Sequence, residues 1–333
     1  MRMPLRTMFV GLGLSTGALI LATASAPRAA QTTVAVDDLI AQLSSADPAA
    51  RVRAACELED LGSRAAPAIP ALVTLLADDA SVDRRECHPE WHWGRADDDP
   101  TSPGREGAWA LAGVGRAGYE ALLGALEDPR WIARRHAAAG LGRFEDPAAI
   151  EPLQAVLKDQ EPGVRESAVW ALGAIEHPRA IPAVSAVLGD QDPRVRRQAA
   201  WALGSIEDIA AIDALARALS DPDADVREQV AWALGSIEDP SGIEPLVTAI
   251  SDSDAKVRSQ AAWALGSIED RAGVPALIDA LRDADPDVRK QGAWALGSIG
   301  DLQAQDALIV AAKDPAATVR RQAIWALGEL DER

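Results

Sequence analysis

The residues suited to chemistry are few and unevenly placed. The chain of 333 residues holds four His and two Cys, and two of the His fall in one segment, Arg84-Arg85-Glu86-Cys87-His88-Pro89-Glu90-Trp91-His92-Trp93. His88 and His92 stand four apart, a spacing that ligates metal when the segment is helical. Pro89 permits only a helical start there, and no second ligand cluster accompanies them. The sequence therefore assigns no metal, and the segment reads better as a cap over one end of the molecule. No Ser-His-Asp set, phosphate-cradling glycine loop or carboxylate pair rises above an Asp-rich background. Neither a catalytic residue nor a cofactor is expected. Cys56 and Cys87 form a disulfide in one reading and stay two separate buried thiols in the other.

What recurs instead is tryptophan. Trp contributes 10 residues against one Tyr and two Phe. Trp170, Trp201, Trp232, Trp263, Trp294 and Trp325 follow one another every 31 residues, inside a recurring string such as Val195-Arg196-Arg197-Gln198-Ala199-Ala200-Trp201-Ala202-Leu203-Gly204-Ser205-Ile206. A second, shorter apolar segment lies between successive strings, bounded by Asp, Pro and Gly. Asp239-Pro240 supplies an N-cap and a first-turn proline for the shorter helix, and Asp192-Pro193 does the same for a longer one. Neither helix buries its apolar face alone, so units must stack side by side. The spacing predicts an all-α solenoid of about nine two-helix units over residues 36–333. Its longer helices fall near 48–61, 106–114, 130–142, 162–175, 193–206, 224–237, 255–268, 286–299 and 315–329. An insertion at 78–105 breaks the second unit.

On a helical wheel at about 100° per residue, Val195, Ala199, Ala202, Leu203 and Ile206 form one apolar stripe. Trp201 points about 145° away from its centre on the same wheel, beside Arg197. The string repeats, so the other five Trp share that outer face. Six indoles, each able to bury on the order of 200 Å², exceed the apolar patch of roughly 300–600 Å² that a monomer ordinarily leaves wet. One reading makes them a binding face, so that removing Trp232 and Trp263 weakens binding at little thermal cost. The other makes them glue between units. Gln198, Gln229, Gln260, Gln291 and Gln322 form a flanking column, either bonding a ligand or bridging neighbouring helices. Arg197, Lys290 and Arg321 stand at a variable position that would tune specificity. Arg165, Arg196, Arg227, Arg258, Arg289 and Arg320 lie nearer the core beside Asp-rich turns, where pairing with loop carboxylates is expected rather than phosphate binding.

The string Asp-Pro-x-Val-Arg-x-x-Ala-Ala-x-Ala-Leu-Gly-x-Ile, seen at 192–206, resembles the phycobilisome-lyase-type subgroup of HEAT repeats. The resemblance implies a superhelix with the Trp position on its concave face. That family includes chromophore lyase subunits, a di-iron hydroxylase and plain scaffolds. The hydroxylase needs His-Glu dipeptides, and none occurs: His88 precedes Pro89, His92 precedes Trp93, His136 precedes Ala137 and His177 precedes Pro178. The expected function is a non-catalytic scaffold that holds an extended peptide or protein segment along the Trp and Gln columns, with carbohydrate as a variant ligand. The alternative is a lyase- or hydroxylase-like enzyme subunit that uses the insertion.

Composition narrows the partner further. With 51 acidic and 33 basic residues the net charge is −18, which argues against nucleic acid. Arg2 and Arg6 precede an apolar run from Thr7 to Leu21, and Ala22-Thr23-Ala24 fits a small-residue cleavage site before Ser25. Residues 1–24 are therefore expected to be a signal peptide and 25–35 a linker, with the mature protein periplasmic or secreted. The run of about fifteen apolar residues is short for a membrane span, so no membrane insertion is expected after cleavage.

Overall fold

The computed structural model describes residues 35–87 and 100–331. The proposed signal peptide, His88, His92 and the two Trp beside them lie outside the described residues. Among those described, nine two-helix units follow one another as an α-solenoid. In the first, Val36–Gln42 pairs with Pro48–Leu61; in the second, Ile69–Leu75 pairs across the insertion with Pro103–Val114. Arg116–Ala125 and Trp131–Gly142 make the third unit, and Ile150–Val156 and Pro162–Ala174 the fourth. The short helices Ile181–Val187, Ile212–Ala218, Ile243–Ala249, Val274–Ala280 and Gln305–Ala311 then alternate with the long helices Pro193–Ile206, Ala224–Ile237, Ala255–Ile268, Pro286–Ile299 and Ala317–Asp331. Each long helix packs chiefly on the long helices before and after it. No helix among the described residues is long and apolar enough to cross a membrane.

The local chemistry explains the boundaries. Asp192 caps its helix by accepting the Arg194 N–H at 2.9 Å, with Pro193 in the first turn. Val195, Ala199, Ala202 and Leu203 are fully buried, as the wheel predicts. The helix stops at Glu207, whose φ of 54° and ψ of 37° lie in the left-handed region. Glu145, Glu176, Glu238 and Glu269 do the same near their helix ends, whereas the first, second and eighth units place glycine there at positive φ, Gly62, Gly115 and Gly300. The second long helix begins at Pro103, three residues earlier than the pattern suggests. Ser102 starts it by accepting the Arg105 N–H at 3.3 Å, and Val82 and Thr101 exchange two backbone hydrogen bonds of 2.9 Å that pinch the insertion's ends together.

The arginine column pairs with carboxylates of the Asp-rich turns as expected, except at Arg320, which donates only to the backbone oxygens of Asp314 and Pro315. Arg196 places Nε 2.6 Å from Asp221 Oδ2 and Nη2 2.8 Å from Asp221 Oδ1, while its Nη1 donates to Asp190 O at 2.9 Å. Asp190 in turn receives Nε and Nη2 of Arg165, each at 2.7 Å. Arg134, Arg227, Arg258 and Arg289 repeat the forked pairing with Asp159, Asp252, Asp283 and Asp314. Every rung joins one turn to the next, and bidentate geometry fixes the rotation between units. These hydrogen bonds hold the carboxyls of Asp159, Asp252, Asp283 and Asp314 below the usual carboxylate range. At Asp190 and Asp221 burial opposes ionisation, yet the arginine bonds still keep both low.

Removing one arginine leaves an uncompensated, mostly buried carboxylate. Arg196→Ala should destabilise the protein by about 3 kcal/mol, read as the shift in urea midpoint at unchanged slope. Arg194→Ala, whose partner Asp192 lies in the same turn and whose own side chain is exposed, should change it by less than about 1 kcal/mol.

Candidate binding face on the long-helix layer

The six predicted Trp all lie on the layer of long helices, and each reaches backwards onto its neighbour. A Cβ placed on Gly204 would sit 2.7 Å from Cζ3 of Trp232 and 2.8 Å from Ala233 Cα. Gly142, Gly173, Gly235, Gly266 and Gly297 stand in the same relation to Trp170, Trp201, Trp263, Trp294 and Trp325. The glycine of one unit is thus the seat for the indole of the next. The rings are neither free nor sealed away: five are half-buried and Trp325 is 40% exposed. This revises the expectation that they could be removed at little thermal cost, because a wheel drawn on one helix omits the helix beside it.

The glutamines give a cleaner result. Gln198, Gln229, Gln260, Gln291 and Gln322 are all half-buried, and no side-chain hydrogen bond involves any of the five among the described residues. They do not bridge adjacent helices. Arg197 and Arg321 are exposed and likewise unpaired, whereas Lys290 Nζ lies 2.7 Å from Asp287 of its own helix. An open groove of about 630 Å³ spans units five, six and seven, lined by Trp201, Trp232, Gln229 and Gln260. Charges of both signs, Arg197 and Lys256 with Asp225 and Glu228, complete its lining.

Three residues of this face escaped the sequence pattern. Trp109 belongs to the column: its ring stacks on that of Trp170 at 6.5 Å with 25° between planes, and Arg105 and Arg143 lie 5.6 and 5.1 Å from its centroid. The string Trp109-Ala110-Leu111 matches Trp170-Ala171-Leu172, but the connection into the third unit is one residue short and puts it off period. The third unit carries Ala139 in the Trp position, and there the seat residue before it is Ala112 rather than glycine. Glu106 and His136 take the place of Gln, three residues ahead of Trp109 and Ala139. Both are buried, at 3% and 5% exposure.

The third unit's histidine is held as a neutral ring. His136 Nδ1 donates to Leu76 O at 2.8 Å, which leaves Nε2 to accept from Arg135 Nη2 at 2.9 Å. Burial pushes its pKa down to about 4, against the pull of the Leu76 hydrogen bond. Gly104 makes that contact possible, since a Cβ there would fall 2.5 Å from Nδ1 and 2.7 Å from Leu76 O.

Near the insertion, Cys56 and Cys87 come together with Cα atoms 5.8 Å apart, inside the range a disulfide spans.

Six overlapping matches to the family of HEAT repeats cover residues 95–165, 119–190, 151–235, 183–266, 212–287 and 274–333, more than half of the chain. The chain belongs to the HEAT-repeat family. No curated protein matches it significantly. Among solved structures, Escherichia coli YibA is 21% identical over 79% of this chain and 92% of its own, with a TM-score of 0.55, a likeness of fold. The CpcE–CpcF complex of phycocyanin lyase from Nostoc aligns at 24% identity over 64% of this chain and 94% of that chain, TM-score 0.43. Human deoxyhypusine hydroxylase aligns at 24% over 80% and 97%, TM-score 0.34.

The HEAT-repeat packing makes two measurable statements. Gly204→Ala, which forces a methyl onto the Trp232 ring and the Ala233 backbone, should cost about 1–3 kcal/mol in thermal or urea unfolding. Gly328→Ala, at the matching position of the ninth unit with nothing within 4 Å, should instead be neutral or stabilise by up to about 1 kcal/mol.

The buried histidine sets a pH limb. Its folded pKa lies below the unfolded value of 6.5, so its contribution is complete above pH 6.5 and is lost as pH falls towards 4. That loss amounts to about 3 kcal/mol, ahead of the aspartate limb, whose stabilisation is lost only as pH drops below about 4. Urea unfolding from pH 7.5 to 4.5 should show the decline in wild type and a flat profile in His136→Asn.

Proposed function

We propose that this HEAT-repeat protein is an exported, non-catalytic scaffold that binds an extended peptide or protein segment along its Trp and Gln columns. The observation that carries the reading is the set of five glutamine amides with no internal partner, placed beside half-buried indoles. An amide offers both a donor and an acceptor, which is what a peptide backbone requires. Successive long helices pack about 8–10 Å apart, and an extended chain advances about 3.3 Å per residue. Each unit then faces about three ligand residues. Exposed Arg197 and Arg321 supply charges that differ from rung to rung. The apolar segment before Ser25 supports export, and the approach of Cys56 to Cys87 supports a disulfide in an oxidising compartment.

The separating variant is Gln229→Ala with Gln260→Ala. Both side chains lack internal hydrogen bonds, so the melting temperature should hold while affinity falls about tenfold or more. Trp232→Ala should lower both affinity and melting temperature. Ligands are found by affinity capture from the exported fraction, then titrated by Trp fluorescence as synthetic extended peptides and, separately, as glycans. Binding that the double variant leaves intact would defeat the reading. Saturation by glycans alone would replace the peptide with carbohydrate.

A further inference from the structure

The first two units depart from the pattern in a way the groove does not explain. Arg51 follows Asp47 by four residues, as Arg196 follows Asp192, and its Nε lies 2.6 Å from Asp78 in the same role. Five residues beyond that arginine, where the later units carry Trp201 and its counterparts, stands Cys56. The neighbouring Gln position holds Glu106. The start of the ladder therefore places a thiol and a carboxylate side by side, and the insertion returns across them to bring in Cys87.

The three groups converge closely. Cys56 Sγ, Cys87 Sγ and a Glu106 carboxylate oxygen all lie within 4.8 Å of one another. Glu106 Oε2 is 3.8 Å from Cys56 Sγ and 3.7 Å from Cys87 Sγ. Its other oxygen, Oε1, accepts from the Thr101 hydroxyl. Thr101 is fixed in turn by its two backbone hydrogen bonds to Val82. With 3% exposure, Glu106 has no water to face, and the carboxylate is aimed at sulfur.

In the disulfide form neither sulfur carries a proton, so neither donates to Oε2. A buried carboxylate oxygen is left against sulfur lone pairs, an arrangement that costs free energy. A cation removes the conflict. A tetrahedral zinc ion with bonds of about 2.3 Å to thiolate and about 2.1 Å to carboxylate holds sulfur and oxygen about 3.6 Å apart, close to the two sulfur–oxygen separations found here, while the sulfurs, bonded to each other in this structure, separate on reduction. Two thiolates and one carboxylate suit a borderline-soft divalent ion, and three protein ligands leave one position for water. Cys87 is half-buried, which gives the ion a way in.

We propose that Cys56, Cys87 and Glu106 form a site for a divalent metal of the zinc class, loaded when the two thiols are reduced and emptied when they pair. The site is independent of the groove reading. In loading, two equivalents of a thiol reductant convert the disulfide to two thiols and leave joined as their own disulfide. The metal then binds both sulfurs as thiolates, releasing two protons, and takes Glu106 Oε2 as its third protein ligand. Pairing of the sulfurs by a disulfide oxidant releases the ion, and the oxidant leaves as two thiolates.

The test uses the full mature chain and cobalt(II) as the probe. Protein is reduced with a phosphine, desalted without oxygen and titrated, beside an oxidised sample. Reduced wild type should develop a thiolate-to-cobalt charge-transfer band that saturates at one cobalt per chain and is abolished by zinc. The oxidised sample should develop none. Cys56→Ser should lose the band, and Glu106→Gln should weaken cobalt binding about tenfold or more with both thiols still titratable. The proposal is overturned if reduced wild type shows no band, a result that depends on no variant. An equal band in Cys56→Ser, which would make Cys87 the sole thiolate ligand and leave Cys56 no part in the site, or an unchanged affinity in Glu106→Gln, also overturns it.

Discussion

Everything in this solenoid depends on how near one long helix can come to the next. At Gly204 the backbone of the following unit is so close that a single methyl group has no room: Ala233 Cα would lie 2.8 Å from it. Only glycine with small flanking residues such as Ala202 permits that approach. Once it is made, other features follow. The Trp232 ring finds its seat, and Arg196 spans the boundary to take Asp221 with two bonds while holding the carbonyl of its own turn. Contacts of this kind reach only nearest neighbours, so stability grows unit by unit. Packing sets the distance between units and the guanidinium fork sets their rotation.

The same interlock prepares the Trp and Gln face of the long helices for recognition. A tryptophan clamped along one edge has already lost most of its rotamer freedom, so a ligand that stacks on the remaining surface orders little more. Glutamine works the other way. The amides in the neighbouring column have no partner to surrender, and their flexible stems adjust to whatever lies across them. Rigid aromatic anchors beside adaptable polar groups divide the work of binding between shape and hydrogen bonding. The mixed charges around the groove at Trp201 and Trp232 add differences between rungs that otherwise carry the same side chains.

Much of this was legible because the chain repeats itself. The 31-residue spacing, the Asp-Pro caps and the Val195–Ile206 stripe lead to stacked helix pairs, and the Asp-rich turns point to the arginine pairing. The wheel also turned the indoles correctly away from their own helix's stripe. It could not show the seat on the preceding helix, since a periodicity describes one element and the contact belongs to two. The signal for it was nonetheless present. Before each of the six periodic Trp the seat is glycine, and where Ala139 replaces Trp the seat becomes Ala112. Glutamate in a left-handed helix end, as at Glu207, runs against local preference and had no such signal.

Irregularity concentrates where the insertion enters, and that placement has a physical logic. A regular rung with an open polar face needs only small residues, an indole and an amide. Covering that face removes water, and any polar group left beneath must find a partner within the protein. His136 meets this demand with the Leu76 carbonyl on one nitrogen and Arg135 on the other. Glu106 meets it on one oxygen only, through Thr101. Two side chains in the same column, under the same cover, thus reach different outcomes: one is satisfied as a neutral ring, the other keeps an oxygen directed at two sulfurs. Buried polar residues in otherwise apolar layers persist when they serve structure or chemistry. His136 has its structural reason in the hydrogen bonds that tie the third unit to the end of the second unit's short helix. For Glu106 the packing supplies only half of one, and the unsatisfied half lies against the two cysteines.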